Sequence, residues 1–206
     1  GGDIIWEDSV ISMKVNSEIT ITSNEMAITE TSLRHDQQKN TTVLSHEAFR
    51  WFIIKRGDKY GIRLRDLKHP RIKALDHIPA YPLSEEWVIE AEYIAFDSVR
   101  TIEVPTAISG FSEFYKAPGE LKFKKNGSTH TLIPFSAGKG YFLIVGDASN
   151  GIDTYGAGRF MYTEQIDGNK VILDFNRATN PPCAFSPYAT CPLPPLENIL
   201  DLEITA

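Results

Sequence analysis

Apolar and polar residues alternate with a period of two along most of this chain, the spacing of strands that bury one face. VISMKV (10–15), EITIT (18–22) and MAITET (26–31) follow one another with Ser and Asn between them, which predicts a meander of short antiparallel strands. FRWFIIKRGDKYGIRLRD (49–66) reads as a hairpin: Gly57-Asp58 joins two alternating runs, and a leading glycine suits a type II′ turn. Asn126-Gly127, inside ELKFKKNGSTHTLIPF (120–135), is a stronger hairpin signal. RFMYTEQIDGNKVILDF (159–175) predicts a third hairpin, turning at Asp167-Gly168. WVIEAEYIAF (87–96) and VRTIEVPT (99–106) predict two further strands, and FSEFY (111–115) between them and the Asn-Gly hairpin predicts a flap. YFLIV (141–145) is unbroken and predicts a central strand, while ILDLEI (199–204) predicts a closing one.

No segment of ten residues carries a 3.6-residue period, so helix is confined to one or two short pieces. The expected fold is mainly β: antiparallel strands in a barrel-like or sandwich core. Residues 69–86, HPRIKALDHIPAYPLSEE, break the alternation with prolines and one candidate helical turn. They predict a connector between a β-meander and hairpin subdomain at 1–68 and a barrel-like core at 87–206, or a kink within one continuous domain. The segment 180–198 holds six prolines, which fix φ and remove donors. It predicts an ordered strap without regular structure, anchored by Phe185, Tyr188 and Leu193.

The 206 residues are 42% apolar and 23% charged, enough for one sizeable core or two small ones. Net charge is −6 and the cations are scattered, which argues against nucleic acid as a partner. No apolar run approaches the ~20 residues of a membrane span. The opening GGDIIWEDSV has no signal-peptide pattern and looks trimmed or tagged, so both a cytoplasmic and an exported or lipid-anchored origin stay open. Two cysteines are too few for a disulfide scaffold or a four-cysteine zinc site. Nothing calls for a metal or a cofactor, and no feature signals an oligomeric state.

The densest chemistry lies between residues 146 and 198. A first motif, D-x-S-x-G-x-x-T-Y-x-x-G-R, holds Asp147, Ser149, Gly151, Thr154, Tyr155, Gly158 and Arg159. A second, D-F-N-x-A-x-N-P-x-C-A-F followed by C-P-x-P-P-x-x-N, runs from Asp174 through Asn176, Asn180, Cys183 and Cys191 to Asn198. With these motifs the chain resembles a family of bacterial and archaeal proteins known as domain of unknown function 1684. Residues 51–81 are similar to it more loosely. The resemblance implies a family and no activity.

The residues themselves suggest chemistry, each beside a plainer role. Arg159 can clamp a carboxylate or phosphate through its planar fork, or pair with Asp147 or Asp174 to pin the loop. Asp147 can serve as general base and Asp174 as general base or metal ligand, with Tyr155, Asn176 and Asn180 completing a polar pocket, or they can cap turns. Cys183 and Cys191 can be packed thiols, a disulfide, or a reactive or metal-bound pair. Three classes follow: a β module that binds a small molecule, a hydrolase-like or other enzyme using Asp147 or Asp174 with Arg159, and a structural or protein-interaction module. A pocket receiving these side chains favours the first two, and their mutual pairing in a filled core favours the third.

Overall fold

The computed structural model describes every residue except Ser9 and Ser17, with residues 165–167 described by backbone alone. The chain is mainly β, in antiparallel sheets, and divides into two compact units, Gly1–Ile78 and Pro79–Ala206. The division falls inside the proline-bearing segment 69–86.

In the first unit the strands are β1 (Gly2–Glu7), β2 (Val10–Val15), β3 (Ile21–Ser23), β4 (Met26–Ile28), β5 (Glu30–Ser32), β6 (Leu44–His46), β7 (Phe49–Arg56) and β8 (Lys59–Asp66). They form two sheets, ordered β1-β2-β5 and β4-β3-β6-β7-β8. Their inward positions, with Leu33 just beyond β5, form a small core of Ile11, Met13, Ile21, Leu33, Leu44 and Ile53. The run 26–31, expected as one strand, breaks at Thr29, so β4 pairs in one sheet and β5 in the other. Strand β1 was not expected; it pairs with β2 from Gly2↔Val15 to Glu7↔Val10. The β7–β8 hairpin turns on Gly57-Asp58, with Gly57 at φ +60. Helix α1 (Pro70–Ala74) is a single exposed turn.

The second unit contains β9 (Val88–Pro105), β10 (Ser112–Lys125), β11 (Ser128–Leu132), β12 (Phe135–Ala137), β13 (Gly140–Val145), β14 (Arg159–Thr163), β15 (Gln165–Asp167) and β16 (Lys170–Asp174). Its sheets are β11-β10-β9-β16-β15 and β12-β13-β14. Two expected strands at 87–96 and 99–106 are one long strand, β9. The expected flap at 111–115 is the beginning of β10, with Tyr115 packed against the core. The β9–β10 pairing slips between Ala117↔Arg100 and Gly119↔Ala95, so residues 96–99 face Pro118 alone. Arg100 fills that bend by lying over the Phe96 ring, 3.6 Å from its centre. Gly119 is required there, because a Cβ would sit 2.3 Å from the Ile94 carbonyl oxygen.

The bend lets one hairpin cover both faces of β13. Leu143 and Val145 pack with Ile89, Ala91, Leu121 and Phe123, while Phe142 and Ile144 pack with Val104, Ala117 and Phe135. An unbroken apolar run is the pattern that such a two-sided strand needs. The expected hairpin at 159–175 divides after Thr163: β14 joins β13, while β15 and β16 join the other sheet. The turn itself falls at Gly168-Asn169, one residue later than expected.

The strap 180–198 is ordered, but its anchors are not the expected aromatics. Phe185 and Tyr188 are exposed, at 42% and 86%, and Leu193 is half-buried. Pro181, Ala189, Cys191, Pro192, Pro195 and Asn198 are the buried residues. Small and cyclic side chains fit close to the sheet end at Thr106, where Pro192 forms a bridge. Residues 199–204 do not form the expected regular strand. They lie parallel to residues 146–148 through a bridge from Gly146 to Ile199, and bury Leu200, Leu202 and Ile204 in the larger core.

Candidate functional site

The chain leaves β13 at Gly146 and enters a loop whose polar side chains turn inward. Asp147 is fully buried and Arg159, the first residue of β14, is 6% exposed. Arg159 Nη2 donates to Asp147 Oδ2 at 2.9 Å and to the Ile204 carbonyl at 2.9 Å, while Nη1 donates to the Ala206 carbonyl at 2.6 Å. Asp147 Oδ1 accepts from Ser149 N–H and the Ser149 hydroxyl, and from Ile204 N–H at 3.3 Å. Asn150 closes the loop, accepting from Asp147 N–H at 2.7 Å and donating to Thr154 Oγ1 at 2.8 Å. The first motif is therefore a clamp on the tail 199–206. Charge burial is offset by the ion pair and by hydrogen bonds to the remaining lone pairs and protons.

Gly158 precedes the arginine at φ +81. A Cβ at that position would lie 2.5 Å from the Val145 carbonyl oxygen and 2.6 Å from Pro194. The glycine lets loop, strand and strap meet.

Asp174 and Asn176 form a second group. Asp174 caps a 3₁₀ turn, accepting from the Asn176 side-chain amide at 2.9 Å and its N–H at 3.2 Å. Asn176 in turn accepts from Ser84 N–H at 2.8 Å and donates to Ser84 O at 3.0 Å, tying the entry of β9 to the exit of β16. No hydrogen bond among the described residues joins this group to Asp147 or Arg159. Asn180 is half-buried and makes no side-chain hydrogen bond among the described residues.

Tyr155 belongs to a third group with the cysteines. The neighbouring Cys183 thiol, burial and the Cys191 sulfur push its phenol up to about 12. Cys183 N–H donates to Cys191 Sγ at 3.1 Å, and both cysteines are thiols.

These motif residues lie within the part of the chain that matches a known family. The profile of the family described as protein of unknown function (DUF1684) matches residues 73–206. The chain belongs to this family. No curated protein matches it. Among solved structures it is similar to the solution NMR structure of the uncharacterized protein from gene locus rrnAC0354 of Haloarcula marismortui. The two are 26% identical, with a TM-score of 0.56, over 66% of this chain and 78% of that one.

Within the DUF1684 portion, sequence reasoning missed Tyr81. Among the described residues its buried hydroxyl oxygen has no hydrogen-bond partner, and burial followed by the field of Asp153 raises its pKa. The charges of Arg159 and Asp147 also act on it, in opposite directions. The Tyr-Pro pair at 81–82 was the sequence trace of this position. Four concavities are described among these residues, and none of the four is lined by a motif residue. A concavity of about 550 Å³ in the DUF1684 portion lies over Glu90, Glu92, Lys122, Lys124 and Lys170, on the charged face of the five-stranded sheet. In the first unit a polar concavity of about 810 Å³ is lined by Ser23, Asn24, Thr31, Ser32, Arg34 and residues 40–43. Among the described residues no three His, Cys, Asp or Glu side chains converge as metal ligands would. Among the described residues no helix is long and apolar enough to cross a membrane.

Proposed function

We propose that this protein is a non-catalytic binding module that takes a small hydroxylated anion in the polar concavity of residues 1–78. The observation that carries the reading is a contrast in hydrogen bonding. In the DUF1684 motif Asp147 is fully buried and Arg159 nearly so, and each is engaged by several partners. A general base must reach a substrate proton, and a clamp must have donors to spare. In the concavity the hydroxyls of Thr41 and Thr42 are engaged internally, but most of the polar lining is not. The side chains of Ser23, Asn24, Thr31, Ser32, Arg34 and Asn40 make no hydrogen bond within the described residues, yet all line one space. Arg34 is the cation of that lining, and a guanidinium beside hydroxyls and amides suits a carboxylate carried on a polyol. A volume of about 810 Å³ is in the range of small-molecule sites.

The test is calorimetric titration of the full chain with uronic acids, hydroxycarboxylates and their neutral counterparts. Binding of an acid, lost in Arg34→Gln and absent for the neutral sugar, supports the reading. Equal binding by Arg34→Gln, or no heat from any member, overturns it.

A protein-interaction module is the second reading. It is favoured by the exposed apolar side chains of Ile152, Tyr188 and Leu196 on the motif loop and strap. Replacing these three by Ser would abolish partner binding under this reading and leave anion binding untouched.

A further inference from the structure

Cys183 and Cys191 take no part in the clamp or in the anion concavity, and they sit together. Cys183 N–H is 3.1 Å from Cys191 Sγ. Covalent geometry puts the sulfur of Cys183 roughly 3–4 Å from its own nitrogen, so the two sulfurs lie within about 7 Å. Rotation about the Cys183 Cα–Cβ bond changes that gap most directly. Cys191 is the fixed partner. Its carbonyl accepts from Ala107 N–H at 2.9 Å, and two residues on, Leu193 N–H donates to Pro105 O at 2.8 Å. Cys183 is half-buried, whereas Cys191 is 5% exposed.

The geometry points to Cys183 and Cys191 as a redox-active dithiol that closes to an intrachain disulfide by exchange with a low-molecular-weight disulfide such as oxidised glutathione. Cys183, the accessible thiol, gives its proton to solvent and attacks one glutathione sulfur. A Cys183–glutathione bond forms and one glutathione thiolate leaves. Cys191, as its thiolate, then attacks Cys183 Sγ and expels the second glutathione thiolate. Two protein thiols lose two electrons and two protons, and one glutathione disulfide becomes two thiols. The Cys183 main-chain N–H, donating to Cys191 Sγ, holds that sulfur beside Cys183 for the second attack.

The experiment equilibrates the full chain in stepped ratios of reduced to oxidised glutathione, quenches with acid, labels remaining thiols and weighs the products. The expected product has lost two hydrogens, carries no label, yields a 183–191 cross-linked peptide and reverts with dithiothreitol. Cys191→Ser should trap the glutathione adduct on Cys183. Retention of both thiols in the most oxidising buffer, or wild-type protein halting at a glutathione adduct, overturns the inference.

Discussion

Asn198 pairs with the main chain of Ile133 as a neighbouring strand would. Its side chain accepts from Ile133 N–H at 2.6 Å and donates to Ile133 O at 3.0 Å, and it is fully buried. One amide thus satisfies both main-chain groups of a residue just beyond the end of β11. Asn198→Leu keeps the approximate volume and leaves two buried groups unpaired, at a cost of about 2–4 kcal/mol. Urea denaturation of the two proteins measures it. A loss below ~1 kcal/mol would mean that water replaces the amide.

Arg159→Met tests the clamp. It leaves the Asp147 carboxylate buried without its cation, and breaking such a pair costs about 3–5 kcal/mol. The tail 199–206 should then exchange its amide hydrogens faster, Ile204 included, because Arg159 holds two of its carbonyls. A variant with wild-type stability and exchange would show that the tail is held by its apolar side chains alone.

Gly158→Ala should be costly although the added group is one methyl. The positive φ alone costs about 1–3 kcal/mol for a residue with a Cβ. Contact with the Val145 carbonyl and Pro194 must be relieved as well. Gly127→Ala is the control: it shares a positive φ, but a Cβ there meets nothing. If both variants melt together, the close approach at Gly158 is unimportant.

Alkaline pH should loosen the second unit through Tyr141. Burial first, and then Tyr93, lift its phenol to about 12, against about 10 in the unfolded chain. A raised pKa means that the folded state holds its proton more tightly. The resulting stability is complete below pH ~10 and is lost as pH climbs towards ~12. Melting temperature recorded between those limits should fall less steeply in Tyr141→Phe. Parallel curves would assign the alkaline loss to other groups.

Much of this fold is legible because alternation and turn dipeptides are local. Gly57-Asp58 and Asn126-Gly127 set their hairpins without help from the rest of the chain. What escaped is set by distant partners. Thr29 and Glu164 are where runs that look continuous pass from one sheet to another, and nothing in their own sequence marks the change. The join between the two halves of β9 is hidden for the same reason, since Arg100 on Phe96 becomes a bend only once β10 is alongside. At the candidate site, an arginine among aspartates showed that a pair was available. Only the tail carbonyls of Ile204 and Ala206 reveal what the pair grips. Phe185 and Tyr188 misled because size suggests burial, whereas the strap had room against the sheet end for prolines.

Strand β13 is shared property between two hydrophobic clusters, and this has a thermodynamic result. Melting the cluster around Phe142 and Ile144 removes the support of the backbone that carries Leu143 and Val145. Neither cluster has a separate route to disorder, so residues 79–206 should unfold in one cooperative step despite holding two cores. Amides of β13 should then exchange only when the whole unit opens.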